Sequence, residues 1–267
     1  MIVSSNRDPA SSNIAQALIT KNGFKQESGQ EIETYSKDNM RLVVLEKLGI
    51  FVEPDDIPPH VSSAIFVSKH VSSSGRAALT VHATGNLTRE AKFGGYPEEV
   101  SHVDPSMIRR ALRALKEGTV RAGVQIDVTM EATHHGPTNL SMPVCFVEIG
   151  SGEKEWTDPV LGEIAANAVI SAFEKIGETY PTAVGFGGTH YSAKHTRICM
   201  EGDYAIGHLV SSHSFDGGVS ERVIGDTFSK TSGPCNTAIV DWKGLHSADR
   251  RKLIVSLEAD GRDIVRC

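Results

Sequence analysis

The sequence predicts a three-layer α/β/α fold with a mostly parallel or mixed sheet, and two observations predict it. Several of its strand-like runs are apolar instead of alternating, as in VCFVEI from Val144 to Ile149, broken only by Glu148, where a strand with one wet face would alternate. Between such runs lie amphipathic segments with helix start signals, and that alternation places helices over a sheet.

Met1 to Val3 opens the chain as a short strand, and SSNRDPASSN after it reads as a polar loop. Three β-branched, apolar runs follow: Arg41 to Leu45, Ala64 to Val67 and Leu79 to His82. In VDPSMIRRALRALKEG, Asp104 can cap the first free N–H groups, while Pro105 fits the first helical turn, where its missing N–H costs nothing. Ile108, Leu112 and Leu115 then share one face. Strands at Ile126 to Met130 and Val144 to Ile149 precede TDPVLGEIAANAVISAFEKIG, which repeats the capping device with Asp158 and Pro159. Its stripe runs from Leu161 through Ile164, Ala168 and Ala172 to Ile176, and Gly177 stops it. Strands at Ala183 to Phe186 and Ala238 to Val240 lead to a last helix. That helix opens at Ser247, turns Leu253, Ile254 and Leu257 inward, and stops at Gly261. With no repeat and no linker-like tract, residues 1–267 read as one domain.

Composition narrows the function. Hydrophobic residues make up 39% and charged ones 22%, and no apolar run approaches the ~20 residues that a membrane helix needs. The start of the chain lacks the basic and apolar regions of a secretory signal, so a cytoplasmic protein is expected. Cys145, Cys199, Cys235 and Cys267 are too far apart for a C-x-x-C pair, which argues against a disulfide framework. A net charge of −6 opposes coating of DNA or RNA but allows a local basic pocket for one RNA end.

Eleven histidines stand out, several of them in clusters with Gly, Thr and Ser. One cluster is VSKHVSSSGR, with Lys69, His70 and Arg76; another is VHATGNL, with His82 and Asn86. TMEATHHGPT carries Glu131, His134 and His135, and FVEIG carries Glu148; VGFGGTHYSAKHT brings Gly187, Gly188, Thr189, His190, Lys194 and Arg197. In an open α/β sheet such clusters converge in the crevice beyond the carboxyl ends of the strands. A lone histidine at a strand end is more often a hydrogen-bonded structural residue than a ligand, and that reading stands for His70 and His82 taken singly. Neighbours in an extended segment point to opposite faces, so one of His134 and His135 is expected to enter the crevice and the other to orient a partner. Glu148 is the strongest single signal, since a carboxylate in an apolar strand needs a metal, a cation or several donors. The glycines of GFGGTH suit a loop whose backbone N–H groups face an oxyanion or a phosphate. A G-x-G-x-x-G dinucleotide site and a G-x-S-x-G elbow are both absent, and Ser72 to Ser74 lack a recognisable base.

Taken together these motifs, with MIVSSNRDPASSNI at the start, make the chain resemble the archaeal-type D-aminoacyl-tRNA deacylases, a family shared by archaea and plants. The resemblance runs essentially end to end. It implies hydrolysis of the ester that joins a D-amino acid to the 3′ end of tRNA, dependence on Zn²⁺, and a phosphorylase/hydrolase-like α/β fold. The family's motif positions fall on His70, His82, Asn86, Glu131, His134, His135, Glu148, Gly187, Gly188, Thr189 and His190. Which of these hold zinc is no part of the resemblance; His82, His135, Glu148 and His190 are assigned here to the metal, and Glu131, His134, Gly187, Gly188 and Thr189 to catalysis. Lys69, His70, Arg76, Asn86, Lys194 and Arg197 are assigned to the acceptor end of the tRNA. Arg109, Arg110 and Arg113 read as the solvated face of their helix. A monomer is expected. A zinc-dependent amidase or peptidase on small substrates, and a non-catalytic binder of tRNA ends, are the competing functions.

Overall fold

The computed structural model describes residues 1–72, 75–174 and 179–267. Ser73, Ser74, Ile176 and the expected helix stop at Gly177 lie outside them. Every expected strand run forms a strand, and shorter, more polar ones join them. In chain order they are β1 (Ile2–Ser5), β2 (Lys25–Gln26), β3 (Glu33–Lys37), β4 (Met40–Leu45), β5 (Ala64–Lys69), β6 (Ala78–His82), β7 (Gly85–Asn86), β8 (Glu99–Val100), β9 (Asp127–Met130), β10 (Val144–Gly150), β11 (Thr182–Phe186), β12 (Ala205–Val210), β13 (Cys235–Val240) and β14 (Asp263–Arg266). The helices are α1 (Pro9–Thr20), α2 (Pro105–Ala122), α3 (Glu153–Trp156), α4 (Pro159–Phe173), α5 (Ala193–Glu201), α6 (Ser212–Asp216), α7 (Glu221–Ser229) and α8 (Ser247–Ala259).

Asp104 and Asp158 cap α2 and α4 as the sequence predicts, each carboxylate accepting a first-turn N–H. The same device overturns the loop reading of residues 4–13. Asp8 accepts from Ser11 N at 3.0 Å and Pro9 fills the first turn, so α1 forms and buries Ala10, Ile14, Ala15 and Leu18. Its serines, which suggested a loop, are partly internal: Ser11 Oγ accepts from Ser5 N at 2.8 Å.

Among the described residues an eight-stranded mixed sheet runs in the order β2-β3-β4-β1-β5-β10-β6-β9, and a parallel four-stranded sheet runs β12-β11-β13-β14. β4, β1, β5 and β10 are parallel, while β6 is antiparallel to β10, with Phe146 opposite His82 and Glu148 opposite Thr80. On one face of the large sheet Ile65, Val67, Cys145, Val147, Leu79 and Val81 pack under α1, α2 and α4. On the other, Val3, Val43, Phe66 and Phe146 form a second core closed by Val52, Leu140 and Met142. Phe66 and Phe146 stack with centroids 5.0 Å apart, and each fully buried ring contributes roughly 1.5–3 kcal/mol. The small sheet buries Val184, Phe186 and Val240 against α7 and α8, and turns Ala183, Ile206 and Ile239 toward the core that it shares with the large sheet. No helix among the described residues is long and apolar enough to cross a membrane.

The two sheets meet along a seam. Ala132 N–H donates to His190 O and Thr133 N–H to Leu209 O, both at 2.8 Å. Beneath it the buried His208 of β12 contacts Ser101 O at 3.1 Å and Thr133 Oγ1 at 3.2 Å. Burial pushes the His208 imidazole down to about 3, because charging it would strip the cation of water. The folded protein therefore holds it neutral, whereas in the unfolded chain it takes a proton near its ordinary 6.5. The stability tied to this group is complete above about pH 6.5 and drains away between there and pH 3, by up to ~1.4 kcal/mol per pH unit. His208→Gln is expected to flatten that acid limb in denaturant titrations at pH 4 to 7; an unchanged slope would mean that His208 is not the titrating group.

Candidate active site

The side chains singled out in the sequence converge, but not beyond the strand ends. Because β6 runs antiparallel to β10, there is no common carboxyl edge, and the site lies on a face of the large sheet. Side chains alternate along a strand, so Glu148 points to the same side as Phe146, His82 to the same side as Thr80, and His70 to the same side as Ser68. That side is opposite α1, α2 and α4. The aromatic pair Phe66 and Phe146 supports it from within the sheet, and the Phe146 ring lies 5.4 Å from that of His82 and 4.8 Å from that of His135.

The floor is charged. Glu131 and Glu148 are buried side by side against His70, whose Nδ1 is 3.1 Å from Glu131 Oε1 and 3.4 Å from Glu148 Oε2. Burial works against a charge on His70, yet the two carboxylates outweigh it and push the imidazole up to about 11. Burial alone would likewise raise Glu131, but His190 and His70 hold its carboxyl well below the usual range. Glu148 is depressed for the same reason, by His70 and His82 against its burial. Ser68 Oγ donates to Glu148 Oε1 at 2.6 Å, Trp156 Nε1 to His70 O at 3.0 Å, and His70 Nε2 is bonded to the Tyr191 hydroxyl. The floor thus sets two carboxylates against the His70 imidazolium.

Three further imidazoles stand over it with their ring nitrogens sorted. Nδ1 of His82 faces Ala83 O at 3.1 Å, that of His134 faces Ala132 O at 2.8 Å, and that of His135 faces Gly136 O at 2.7 Å. A carbonyl can only accept, so each Nδ1 carries a proton. Burial opposes a charge on His82, but Glu148 outweighs it and raises that imidazole above its ordinary value. Burial, reinforced by His82, keeps His134 neutral and lowers His135 to about 4. His82 Nε2 has no hydrogen-bond partner, and Glu148 Oε1 at 3.7 Å is beyond bonding distance. Ligand atoms of His82, His134 and His135 lie within 4.8 Å of one another, as do those of Glu131, His134 and His190, and those of His70, Glu131 and Glu148.

Several assignments change. His134 and His135 both face the cluster, because φ of His135 is 44°, a left-handed turn that ends the extended geometry and aims consecutive side chains to one side. Such a backbone costs about 1–3 kcal/mol for a non-glycine residue. His70, assigned to tRNA, is 5% exposed and clamped between carboxylates, so it belongs to the floor. The amides of Gly187 and Gly188 already donate to Val210 O at 2.8 Å and Gly244 O at 3.0 Å, which removes them as oxyanion donors. Thr189 is exposed and turns its hydroxyl to Tyr191 O at 2.8 Å. Asn86 spends its amide on Gly94 O at 2.8 Å and Tyr96 O at 3.2 Å, holding a loop instead of a substrate. Lys194 is bonded to Asp241 at 2.6 Å, Arg76 is paired with Asp127 at 2.5 Å, and Lys69 lies over the Trp156 ring at 5.3 Å. Arg197 is exposed on α5. The arginine face of α2 is not simply solvated: Arg109 is buried, with its guanidinium 3.6 Å above the Tyr180 ring and bonded to Tyr204 O at 3.2 Å, and Arg110 Nε donates to Ala172 O at 2.9 Å. Ser68, Thr80 and Tyr191 were not foreseen. Ser68 and Thr80 carry the same signal as Glu148, a polar group inside an apolar strand, and the buried Thr80 hydroxyl has no partner.

The chain is similar to known proteins over nearly its whole length. The family model for D-aminoacyl-tRNA deacylase matches residues 57–265. A D-aminoacyl-tRNA deacylase of Aeropyrum pernix is 40% identical over 217 residues, covering 79% of this chain and 78% of that protein. One of Methanosarcina acetivorans is 35% identical over 279 residues, covering 99% and 91%. A crystal structure of AF0625, a conserved protein of unknown function, superposes with a TM-score of 0.90 at 29% identity and covers 99% of this chain and 94% of that one.

Gly150 tests how tightly the floor is built. A Cβ there would lie 2.7 Å from both Cβ and Cδ2 of His70. Gly150→Ala is expected to cost about 1–3 kcal/mol through overpacking and to dislodge His70 from the carboxylates. Chemical denaturation measures the first effect, and a shift of the His70 ring resonances in NMR reports the second; unchanged resonances would show that the floor tolerates the methyl.

Proposed function

Since the chain belongs to the D-aminoacyl-tRNA deacylase family, we propose that the cluster of His82, His134, His135, Glu131 and Glu148 is where it hydrolyses D-aminoacyl-tRNA. The products are the free D-amino acid and the tRNA, which returns to correct charging. One observation carries the assignment of chemistry: three imidazoles hold Nδ1–H on backbone carbonyls and bring ring nitrogens within 4.8 Å of one another beside two buried carboxylates. Zinc fits this donor set. Imidazoles anchored at Nδ1 would offer it their other nitrogen, the unbonded Nε2 of His82 would gain a partner, and the two carboxylates would answer its charge, with any proton on His82 released on binding. His82, His134 and His135 would hold the ion, with Glu148 beside them; this regroups the sequence-based set, in which His134 was catalytic and His190 a ligand. Bound zinc supplies Lewis-acid polarisation.

The remaining work falls to the chain itself. Glu131, whose Oε1 faces His70 Nδ1 at 3.1 Å and whose Oε2 faces His190, is the carboxylate placed to take the proton of a water attacking the ester carbonyl. The bond between carbonyl carbon and ribose oxygen then breaks, and the proton held on Glu131 passes to that oxygen. His70 keeps both carboxylates in place from Nδ1, and the Tyr191 hydroxyl fixes the ring from Nε2. His190, 2.7 Å from Glu131 Oε2, confines the second oxygen of the base.

Purified protein is expected to hydrolyse D-tyrosyl-tRNA, to spare L-tyrosyl-tRNA, and to lose activity on chelation. Glu131→Gln is expected to lower kcat by about 10²- to 10⁴-fold while zinc content is retained, and His135→Ala to lose zinc as measured by elemental analysis. Full activity after chelation would remove the metal from the mechanism. Equal turnover of a free D-tyrosine ester would favour a small-substrate hydrolase.

A further inference from the structure

Beside the cluster the surface carries three exposed aromatic rings. Phe51 is 47% exposed, Phe93 64% and Tyr96 51%, and the other exposed large apolar side chains among the described residues are aliphatic. None of the three is paired with another aromatic ring or with a cation among the described residues, so their faces are open. Exposing so much ring surface at one place is unfavourable unless something covers it.

The rings are fixed to the site by backbone. Gly136, the residue after His135, donates its N–H to Phe93 O at 3.0 Å, and Tyr96 N donates to Thr138 Oγ1 at 2.9 Å. Asn86 closes the intervening loop through Gly94 O and Tyr96 O. Gly94 and Gly95 have φ of 78° and 69°, and a Cβ on Gly94 would lie 1.8 Å from Ile50 O and 3.4 Å from the Phe51 ring. Only glycine allows this approach, and it brings the Phe51 loop against the Phe93 loop. Arg89 and Lys92 stand on the same loop, Lys92 paired with Glu90 at 2.8 Å.

We infer that Phe51, Phe93 and Tyr96 form a stacking platform for the unpaired bases at the 3′ end of the tRNA, with Arg89 and Lys92 toward its phosphates. This rests on the proposed hydrolysis, for a reason of connectivity. The carbonyl that reacts is esterified to the terminal nucleotide, so when it sits at the imidazoles that nucleotide's base falls within one residue's length of the centre. There the protein offers open ring faces held rigid, and stacking binds single-stranded bases without regard to sequence. This suits an enzyme that must accept many tRNAs sharing one end. It also reassigns Asn86, which acts as the clamp behind the platform.

The test uses unacylated tRNA carrying 2-aminopurine in place of the terminal adenine, together with steady-state hydrolysis of D-tyrosyl-tRNA. Stacking quenches the probe on binding to the parent protein. Phe93→Ala and Tyr96→Ala are each expected to remove part of the quench and to raise KM for D-tyrosyl-tRNA roughly five- to 100-fold with little change in kcat. Phe93→Trp should restore both, and Phe93→Leu, apolar but without a π-face, should not. Parent-like quench and KM in Phe93→Ala, Tyr96→Ala and Phe51→Ala would overturn the platform, as would a parent dimer that these changes dissociate, since the rings would then cover a second copy. The probe carries no ester, so a parent that quenches it without hydrolysing D-tyrosyl-tRNA supports the platform and refutes the catalytic reading.

Discussion

The site is governed by the cost of burying two carboxylates next to each other. Glu131 and Glu148 are out of water on one face of a sheet, and each alone would be protonated or excluded. Much of what surrounds them answers that cost. His70 lies between them as a cation, Ser68 and His190 donate to their outer oxygens, and Tyr191 locks the ring of His70 from its far side. Beside them His82, His134 and His135 bring ring nitrogens within 4.8 Å of one another.

The elements were legible where burial alone decides them. The runs at β5, β6 and β10 are apolar because helices or a second core cover both faces, and Asp-Pro marked the starts of α2 and α4. β12 was hidden because AIGHLV breaks its apolar run with Gly207 and His208, and His208 is there to bond across the seam. β3, ETYSK, is polar because it lies toward an edge, paired only with short β2 on its outer side. The start of α1 carried the same Asp-Pro signal as the other helices, but the serines after it obscured the pattern until their internal hydrogen bonds were seen.

For the site, residue identity was legible and geometry was not. The density of His and Glu in TMEATHHGPT singled out Glu131, His134 and His135 correctly as members of one cluster. Their directions depend on a single positive φ at His135, which no alternation rule anticipates. GFGGTH likewise announced backbone donors, yet the amides of Gly187 and Gly188 are consumed by Val210 of β12 and by Gly244 in the turn after β13, both later in the chain. Spacing tells which groups are near one another; only the tertiary hydrogen bonds tell which remain free.

The seam at Ala132 and Thr133 makes the cluster a joint product of the two sheets. Ser68, His70, Glu131 and Glu148 come from the large sheet and its strand ends, but His190 and Tyr191 follow β11 of the small one. A shift of one sheet against the other would therefore part Glu131 from His190 and His70 from Tyr191 at the same time.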